Sequence, residues 1–341
     1  MPNVFVHSHF HQRVLIIGAG WSGQTLAQAI AAMGNGAGHP CRGAGYRVLG
    51  FVDDDPARSG QEIMGVPVLG GCGDLVRLAQ ELRPDAVILA LPSDQAIHDE
   101  LIHAIFDCRV LGIRVTAMAS LYERITGRVA VEYGGPQPAV VMSELPPRSR
   151  RLYRLVKRWF DIAVALIGCM LTATLSPLIW LANRVTAPGD LFDRQKCKGV
   201  GGQCFQLVTF RTLAVNAAPR TGGGRANENG RRVTPMGRIL RKTRLDAIPQ
   251  FWNVLRGEMS LIGPRPVVVA QLRQEIPFQR VRYAVKPGIT GWAQVQHDDG
   301  VALRDALVEL QYDLYYIKHQ GVYLDLLILL KTVPAVWKQR H

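Results

Sequence analysis

The first 150 residues contain no lysine, and their 12 arginines stand against 14 acidic residues. That half, at a net charge of −2, offers no basic arm or stripe for nucleic acid, and no nucleic-acid module is legible by motif. The positive excess of the chain, +13 in all, lies in residues 151–341, which carry +15. A half this basic calls for an anionic partner, either phospholipid headgroups or a phosphorylated substrate. Cysteine is also scarce. Cys41, Cys72, Cys108, Cys169, Cys197 and Cys204 are scattered with no CxxC pair, which argues against a zinc site or a disulfide scaffold and for free thiols in a reducing compartment. Residues 1–12 lack an apolar core, so no signal peptide is expected there. His7, His9 and His11 alternate in that stretch. They suit either a metal ion or a disordered tail, and the tail is the expected state of residues 1–12.

Long apolar runs are absent except for one. After Asp161, residues Ile162 to Val185 are almost wholly apolar and are interrupted by Ser176-Pro177. As a helix this run reaches roughly 36 Å, enough to cross a bilayer. Proline removes a donor and clashes with the preceding turn, so a kink is expected at Pro177. Arg154, Lys157 and Arg158 precede the run, and Arg184, Arg194, Lys196 and Lys198 end or follow it. Basic flanks mark the cytoplasmic side, and here both flanks are basic. A re-entrant helix over 161–185, bending at Ser176 and Pro177, fits best. A spanning helix and a buried core helix are the alternatives.

In the first half, Arg13–Ile17 reads as a buried strand. Gly18-Ala19-Gly20-Trp21-Ser22-Gly23 follows it, and a helical run covers Gln24 to Met33. GxGxxG between strand and helix permits a tight turn, with free N–H groups for a pyrophosphate. A Gly-rich loop over 34–45 leads to a strand, Arg47–Val52, that ends at Asp53, placed for a ribose hydroxyl. Further strands are expected at Val66–Leu69, Ala86–Leu91 and Val110–Val115, with helices at Asp74–Leu82 and Gln95–Phe106. The alternation indicates a doubly wound parallel sheet. Gly18, Gly20, Gly23 and Asp53 are the candidate nucleotide-binding residues, for a nucleotide of unknown identity. A Rossmann-like fold that binds nothing tightly is the alternative.

The second half crowds polar motifs together: Arg194-Gln195, Gly199-Val200-Gly201-Gly202, and an alternating stretch from Phe205 that delivers Arg211 at its end. Residues 214–232 read as a mobile loop. Then come Leu245-Asp246 with Pro249-Gln250, Gly263-Pro264-Arg265-Pro266, Pro287-Gly288-Ile289-Thr290-Gly291-Trp292-Ala293-Gln294 and Tyr312-Asp313-Leu314-Tyr315-Tyr316. With the Lys157-Arg158-x-Phe-Asp161 run and the Ser176-Pro177 break, these resemble the bacterial sugar transferase family over about residues 153–338. That family comprises monotopic phosphoglycosyl transferases that start lipid-linked glycan assembly. The first half, with Tyr122-Glu123-x-x-Thr126-Gly127-Arg128, resembles the nucleotide-binding domain that precedes this module in longer members.

The resemblance implies transfer of a sugar phosphate from a nucleotide-diphosphate sugar to polyprenyl (undecaprenyl) phosphate, at the cytoplasmic face of the bacterial inner membrane. It implies Asp246 as the nucleophile and Mg²⁺ at that residue, with Glu258 as a second candidate ligand. Arg241, Arg265 and Arg211 are the candidate phosphate-binding residues. The expected fold is α/β. A Rossmann-like doubly wound sheet occupies 13–148, and a mostly helical α+β, membrane-associated transferase domain with the re-entrant helix occupies 149–341. Expected partners are the two substrates and inner-membrane phospholipids, with a homo-oligomer open.

Several positions depart from the family pattern. Ala247 stands where the family has the glutamate of an Asp-Glu dyad, Val267 where an acid follows Pro-Arg-Pro, and Cys197 at the arginine of Arg-Val-Gly. After Gln294 a Gly-Arg pair gives way to Gln296-His297-Asp298-Asp299, as in an exopolysaccharide subgroup that Asp305-Ala306 and Tyr312–Lys318 also resemble. Ala247 motivates a second reading, a catalytically impaired homologue that serves as a binding or regulatory subunit of a glycan-synthesis complex. A third reading is a nucleotide-sugar oxidoreductase built on the first half, although no hydride-transfer acid or base is evident.

Overall fold

The computed structural model describes residues 12–32, 42–43, 45–91, 98–129, 151–186, 189–213, 233–269, 278–296 and 305–338. The 1–11 tail, most of the 34–45 loop, the start of the Gln95–Phe106 helix, the 214–232 loop and His297–Asp299 lie outside the described residues. The chain divides into two compact units, Met1–Glu144 and Leu145–His341.

The N-terminal unit is built on a seven-stranded sheet. Its strands are β1 (Gln12–Ile17), β2 (Arg42–Gly43), β3 (Tyr46–Val52), β4 (Glu62–Ile63), β5 (Val66–Gly70), β6 (Ala86–Leu89) and β7 (Arg114–Ala117). The order is β4-β5-β3-β1-β6-β7, with β2 beside β3. The pairs β5/β3, β3/β1, β1/β6 and β6/β7 are parallel. Alternate residues of β1 supply two cores. Val14 and Ile16 face Leu26 and Ile30 of α1 (Trp21–Ala32) and Leu121 of α4 (Met118–Thr126). Leu15 and Ile17 face Leu78 of α2 (Leu75–Leu82) and Leu101 and Ala104 of α3 (Asp99–Val110). Helices on both faces make the sheet doubly wound, as the period-two pattern requires.

Two sequence expectations shift here. Val110 closes helix α3 rather than opening a strand, and the strand is Arg114–Ala117. Asp99 and Glu100 open that helix, and Leu101, Ala104 and Cys108 keep a helical stripe buried up to its end. A turn at Gly112, with φ of 79°, then resets the chain for β7. At the other end, Gln12 belongs to β1 and is anchored by its N–H to Gly45 O.

The C-terminal unit is mostly helical. Helix α5 (Arg151–Thr186) runs 36 residues with Pro177 inside it, starting eleven residues before the apolar run. An antiparallel sheet follows, β11 (Val267–Val268), β8 (Phe192–Lys198) and β9 (Cys204–Phe210), together with a parallel pair, β10 (Ser260–Ile262) and β12 (Gly288–Thr290). The remaining helices are α6 (Pro235–Thr243), α7 (Gln250–Arg256), α8 (Trp292–Gln296), α9 (Asp305–His319) and α10 (Val322–Lys338).

One stripe of α5 faces its own unit. Arg158 donates to Val254 O and Leu255 O at 2.7 and 2.9 Å, satisfying carbonyls at the end of α7. Asp161 Oδ1 accepts from Leu261 N at 3.0 Å and Ser260 Oγ at 3.1 Å. Ala165, Ile179 and Asn183 are buried further along. The opposite face exposes Trp159, Ile167, Met170, Leu178 and Leu181. Only 17% of the most apolar window, of mean hydropathy 2.1, is buried.

Candidate active site

A cleft of about 950 Å³ opens in the C-terminal unit. Its floor is one face of the β8–β9 hairpin. Asp193 pairs with Thr209 and Gln195 with Leu207, and all four line the cleft, as the strand period demands. The wall comes from α6 and the 3₁₀ turn after it, Leu245–Ala247, which deliver Arg241, Lys242, Arg244, Asp246 and Ala247. Arg265, Arg282, Glu309 and Gln294 close the opposite side.

Helix α6 is fixed by its first turn. Thr234 Oγ1 accepts from Gly237 N at 2.8 Å, an N-cap, and Thr234 N donates to Thr212 O at 2.9 Å. A Cβ on Gly237 would stand 2.3 Å from Thr212 O, so only glycine lets the helix approach the end of β9. In its last turn, Arg241 Nε donates to Thr212 Oγ1 at 2.9 Å, which leaves the rest of the guanidinium toward the cleft. The helix ends at Arg244 in the left-handed conformation, with φ of 58°, and the chain turns directly into Asp246.

Asp246 Oδ1 is buried and has no hydrogen-bond partner among the described residues. Burial pushes its carboxyl pKa up, against the pull of Arg244, its own N–H, Arg241 and the Ala247 N–H. An anionic oxygen without a donor suits a cation, and Mg²⁺ is commonly held by one or two carboxylates plus substrate phosphates. The donor set at Asp246 therefore fits the ion that the motifs imply.

Arg265 is exposed between Pro264 and Pro266 and lines the cleft. Its loop is pinned by β12, because Gly288 N donates to Pro264 O at 2.8 Å and Gly263 N to Thr290 O at 2.9 Å. Arg211 is placed differently. It is buried behind the β9 end against Gly189 and does not line the cleft. Glu258 also lies apart, accepting from Asn253 Nδ2 at 2.7 Å and pairing with Arg256 at 3.5 Å.

Arg282, Glu309 and Asp193 were not singled out from sequence. Arg282 pairs with Glu309 at 3.0 Å and with buried Asp313. Burial, aided by Glu309, pushes Asp313 up to about 7 against the pull of Arg282. Only the run Tyr312-Asp313 hinted at this cluster, since Arg282 lies 27 residues before Glu309, its nearer partner in sequence. Two of the family departures turn out to be neighbours. Cys197 and Val267 lie on paired strands, with Cys197 opposite Val268 and Val267 opposite Lys198.

In the N-terminal unit, Gly18 has a φ of 99°, and a Cβ on Gly23 would stand 2.0 Å from Gly18 O. The glycine loop thus packs as the motif requires. Asp53 Oδ2 accepts from Ala19 N at 2.7 Å and from Arg58 Nη1 at 3.1 Å, so this carboxylate ties the loop to Arg58. The Arg58 guanidinium lies beside Gly20.

Comparison with known proteins agrees with this division. A CoA-binding domain model matches residues 5–119, and a bacterial sugar transferase model matches residues 152–339. Among relatives, the chain is 34% identical over 258 residues to a UDP-N-acetylgalactosamine-undecaprenyl-phosphate N-acetylgalactosaminephosphotransferase of Aeromonas hydrophila, covering 75% of this chain and 59% of that one. It is 34% identical over 294 residues to a UDP-glucose:undecaprenyl-phosphate glucose-1-phosphate transferase of Escherichia coli strain K12, covering 80% and 61%. To a protein of the same description from Caulobacter vibrioides it is 37% identical over 215 residues, covering 60% and 73%. The chain thus spans about three-fifths of the length of the first two. More than half of the chain matches one family in order, from the anchored helix through the cleft to α10, and it belongs to the bacterial sugar transferases.

Proposed function

We propose that the chain transfers a sugar phosphate from a nucleotide-diphosphate sugar to undecaprenyl phosphate, the first step of exopolysaccharide or other lipid-linked glycan synthesis. The relatives carry such activities in their descriptions. The observation that carries the reading is Asp246, whose buried oxygen, unpartnered among the described residues, stands in a cleft lined by Arg241, Lys242, Arg244 and Arg265. Both substrates are anionic, and fixed cations in a partly dry cleft stabilise charge that builds on a transferring phosphoryl group.

In this mechanism an Asp246 carboxylate oxygen attacks the phosphorus that bears the sugar. The bond from that phosphorus to the bridging oxygen breaks, and the nucleoside monophosphate leaves with the electron pair. An oxygen of the polyprenyl phosphate then attacks the same phosphorus and breaks its bond to Asp246. Arg241, oriented by Thr212, and Arg265, held between prolines, bind the phosphates. Arg211 supports the β9 end from behind. Asp246 would hold Mg²⁺, which would supply charge neutralisation to the transferring phosphate.

Helix α5 brings this site to the cytoplasmic face of the inner membrane, with its outer apolar face in lipid. Residues before and after Pro177, from Arg158 and Asp161 to Ile179 and Asn183, pack on the same unit, which supports a helix with both ends on one side. Thr172, Thr174 and Ser176 each donate to the carbonyl four residues back, a pattern that bends helices, and this supports a re-entrant turn at Ser176-Pro177. The glycine loop of the N-terminal unit is read as a nucleotide site.

The test is turnover of radiolabelled nucleotide sugar with polyprenyl phosphate and Mg²⁺. Equal activity in the wild type and Asp246→Asn overturns the nucleophile. Ala247 favours the second reading, an impaired binding or regulatory homologue. An inactive wild type in which Ala247→Glu restores turnover supports it. Cysteine labelling at residues 155 and 195 from opposite sides of the membrane overturns the re-entrant helix.

A further inference from the structure

We propose that Asp193 is the second carboxylate of the divalent-cation site at Asp246, in the role that the dyad position 247 cannot fill in this chain. The proposal rests on the reading of the cleft as a phosphoglycosyl transferase site. Among the described residues, three carboxylates line the cleft: Asp193, Asp246 and Glu309. Glu309 is neutralised by Arg282 at 3.0 Å. Asp193 has no ion pair among the described residues and accepts only from the neutral Gln195 amide, at 3.0 Å. Its charge is therefore available to the cleft. Asp246, for its part, presents a buried oxygen that no donor among the described residues reaches.

Packing joins the two residues. Phe192, immediately before Asp193, and Leu245, immediately before Asp246, enter one apolar cluster with Phe210. The strand alternation that sends Phe192 into that cluster turns Asp193 to the cleft face, beside Thr209. Ala247 lines the same cleft with a methyl group, so the space a glutamate side chain would fill there is left open. Two carboxylates that approach from different elements, leaving the other positions to water and substrate phosphates, match the way Mg²⁺ is commonly bound.

The test is Mn²⁺ binding to the full-length protein, read by electron paramagnetic resonance and by titration calorimetry, with no turnover needed. Asp193→Asn is expected to weaken Mn²⁺ binding about tenfold or more, and Asp193→Asn with Ala247→Glu to recover most of the loss. Unchanged affinity in Asp193→Asn overturns the proposal. Should that variant fail to fold, Ala247→Glu alone reads the same site. With Asp193 already in place, the added acid is expected to change affinity less than about threefold, and a gain of tenfold or more overturns the proposal. Binding that follows Asp193 in a protein with no transferase turnover overturns the functional reading and leaves this site standing. Turnover with Mn²⁺ affinity indifferent to Asp193 does the reverse.

Discussion

Lys157 Nζ donates to Asp325 Oδ2 at 2.8 Å, joining the start of α5 to α10 across 168 residues. Tyr153 OH reaches the same oxygen at 2.7 Å, and Tyr316 OH donates to Asp325 Oδ1 at 2.9 Å. A lysine that reads in sequence as part of a basic membrane flank is thus an internal anchor, as is Arg158. Lys157→Met is expected to destabilise the protein by about 3 kcal/mol, since it leaves Asp325 at 12% side-chain exposure without its cation. Denaturant unfolding in detergent checks this.

Arg241 is oriented through its Nε, an atom lysine lacks. Arg241→Lys keeps the charge and loses the 2.9 Å bond to Thr212. Turnover is expected to fall roughly tenfold to a hundredfold, with Thr212→Val giving a smaller loss in the same direction. Steady-state assays of both variants measure it, and an unimpaired lysine variant argues against positioning through Thr212.

Asp313, raised to about 7, gives a signed pH dependence. The unfolded chain releases this proton near 4, whereas the folded chain holds it to about 7. Between those values the folded state binds more protons, so stability falls as pH rises from about 4 to about 7. Asp313→Asn is expected to flatten that slope. Melting temperatures across the range, in wild type and variant, check the prediction, and identical slopes exclude Asp313 as the source.

In the N-terminal unit, Gly23→Ala places a Cβ 2.0 Å from Gly18 O, and it is expected to cost about 2 kcal/mol and disturb the loop. Intrinsic tryptophan fluorescence of Trp21, exposed at the start of α1, reports the change. Arg58→Ala, which removes the ion pair to Asp53 and does not crowd the backbone, is expected to leave the fold intact.

Local pattern made much of this chain legible. The glycine loop and the alternation of β1 announced the parallel sheet, because strand period and turn chemistry are properties of neighbouring residues. Where two local signals competed the reading slipped. Valine and leucine at 110–111 suggested a strand, but the helical stripe of Leu101, Ala104 and Cys108 carried α3 to Val110. The ordered motifs also placed Asp246, Arg241 and Arg265, and these three line one cleft. Arg211 and Glu258, equally plausible in sequence, lie outside its lining.

Sequence alone determined the family, the charge asymmetry and the long apolar helix after Asp161, since each is written in composition or in contiguous motifs. Tertiary structure decided which charges are spent internally. Lys157 and Arg158 meet partners about 100 to 170 residues away, Arg282 is shared between Glu309 and Asp313, and Asp193 is turned to the cleft by strand pairing with β9. Such pairings depend on packing between distant segments, and no local period or motif encodes them.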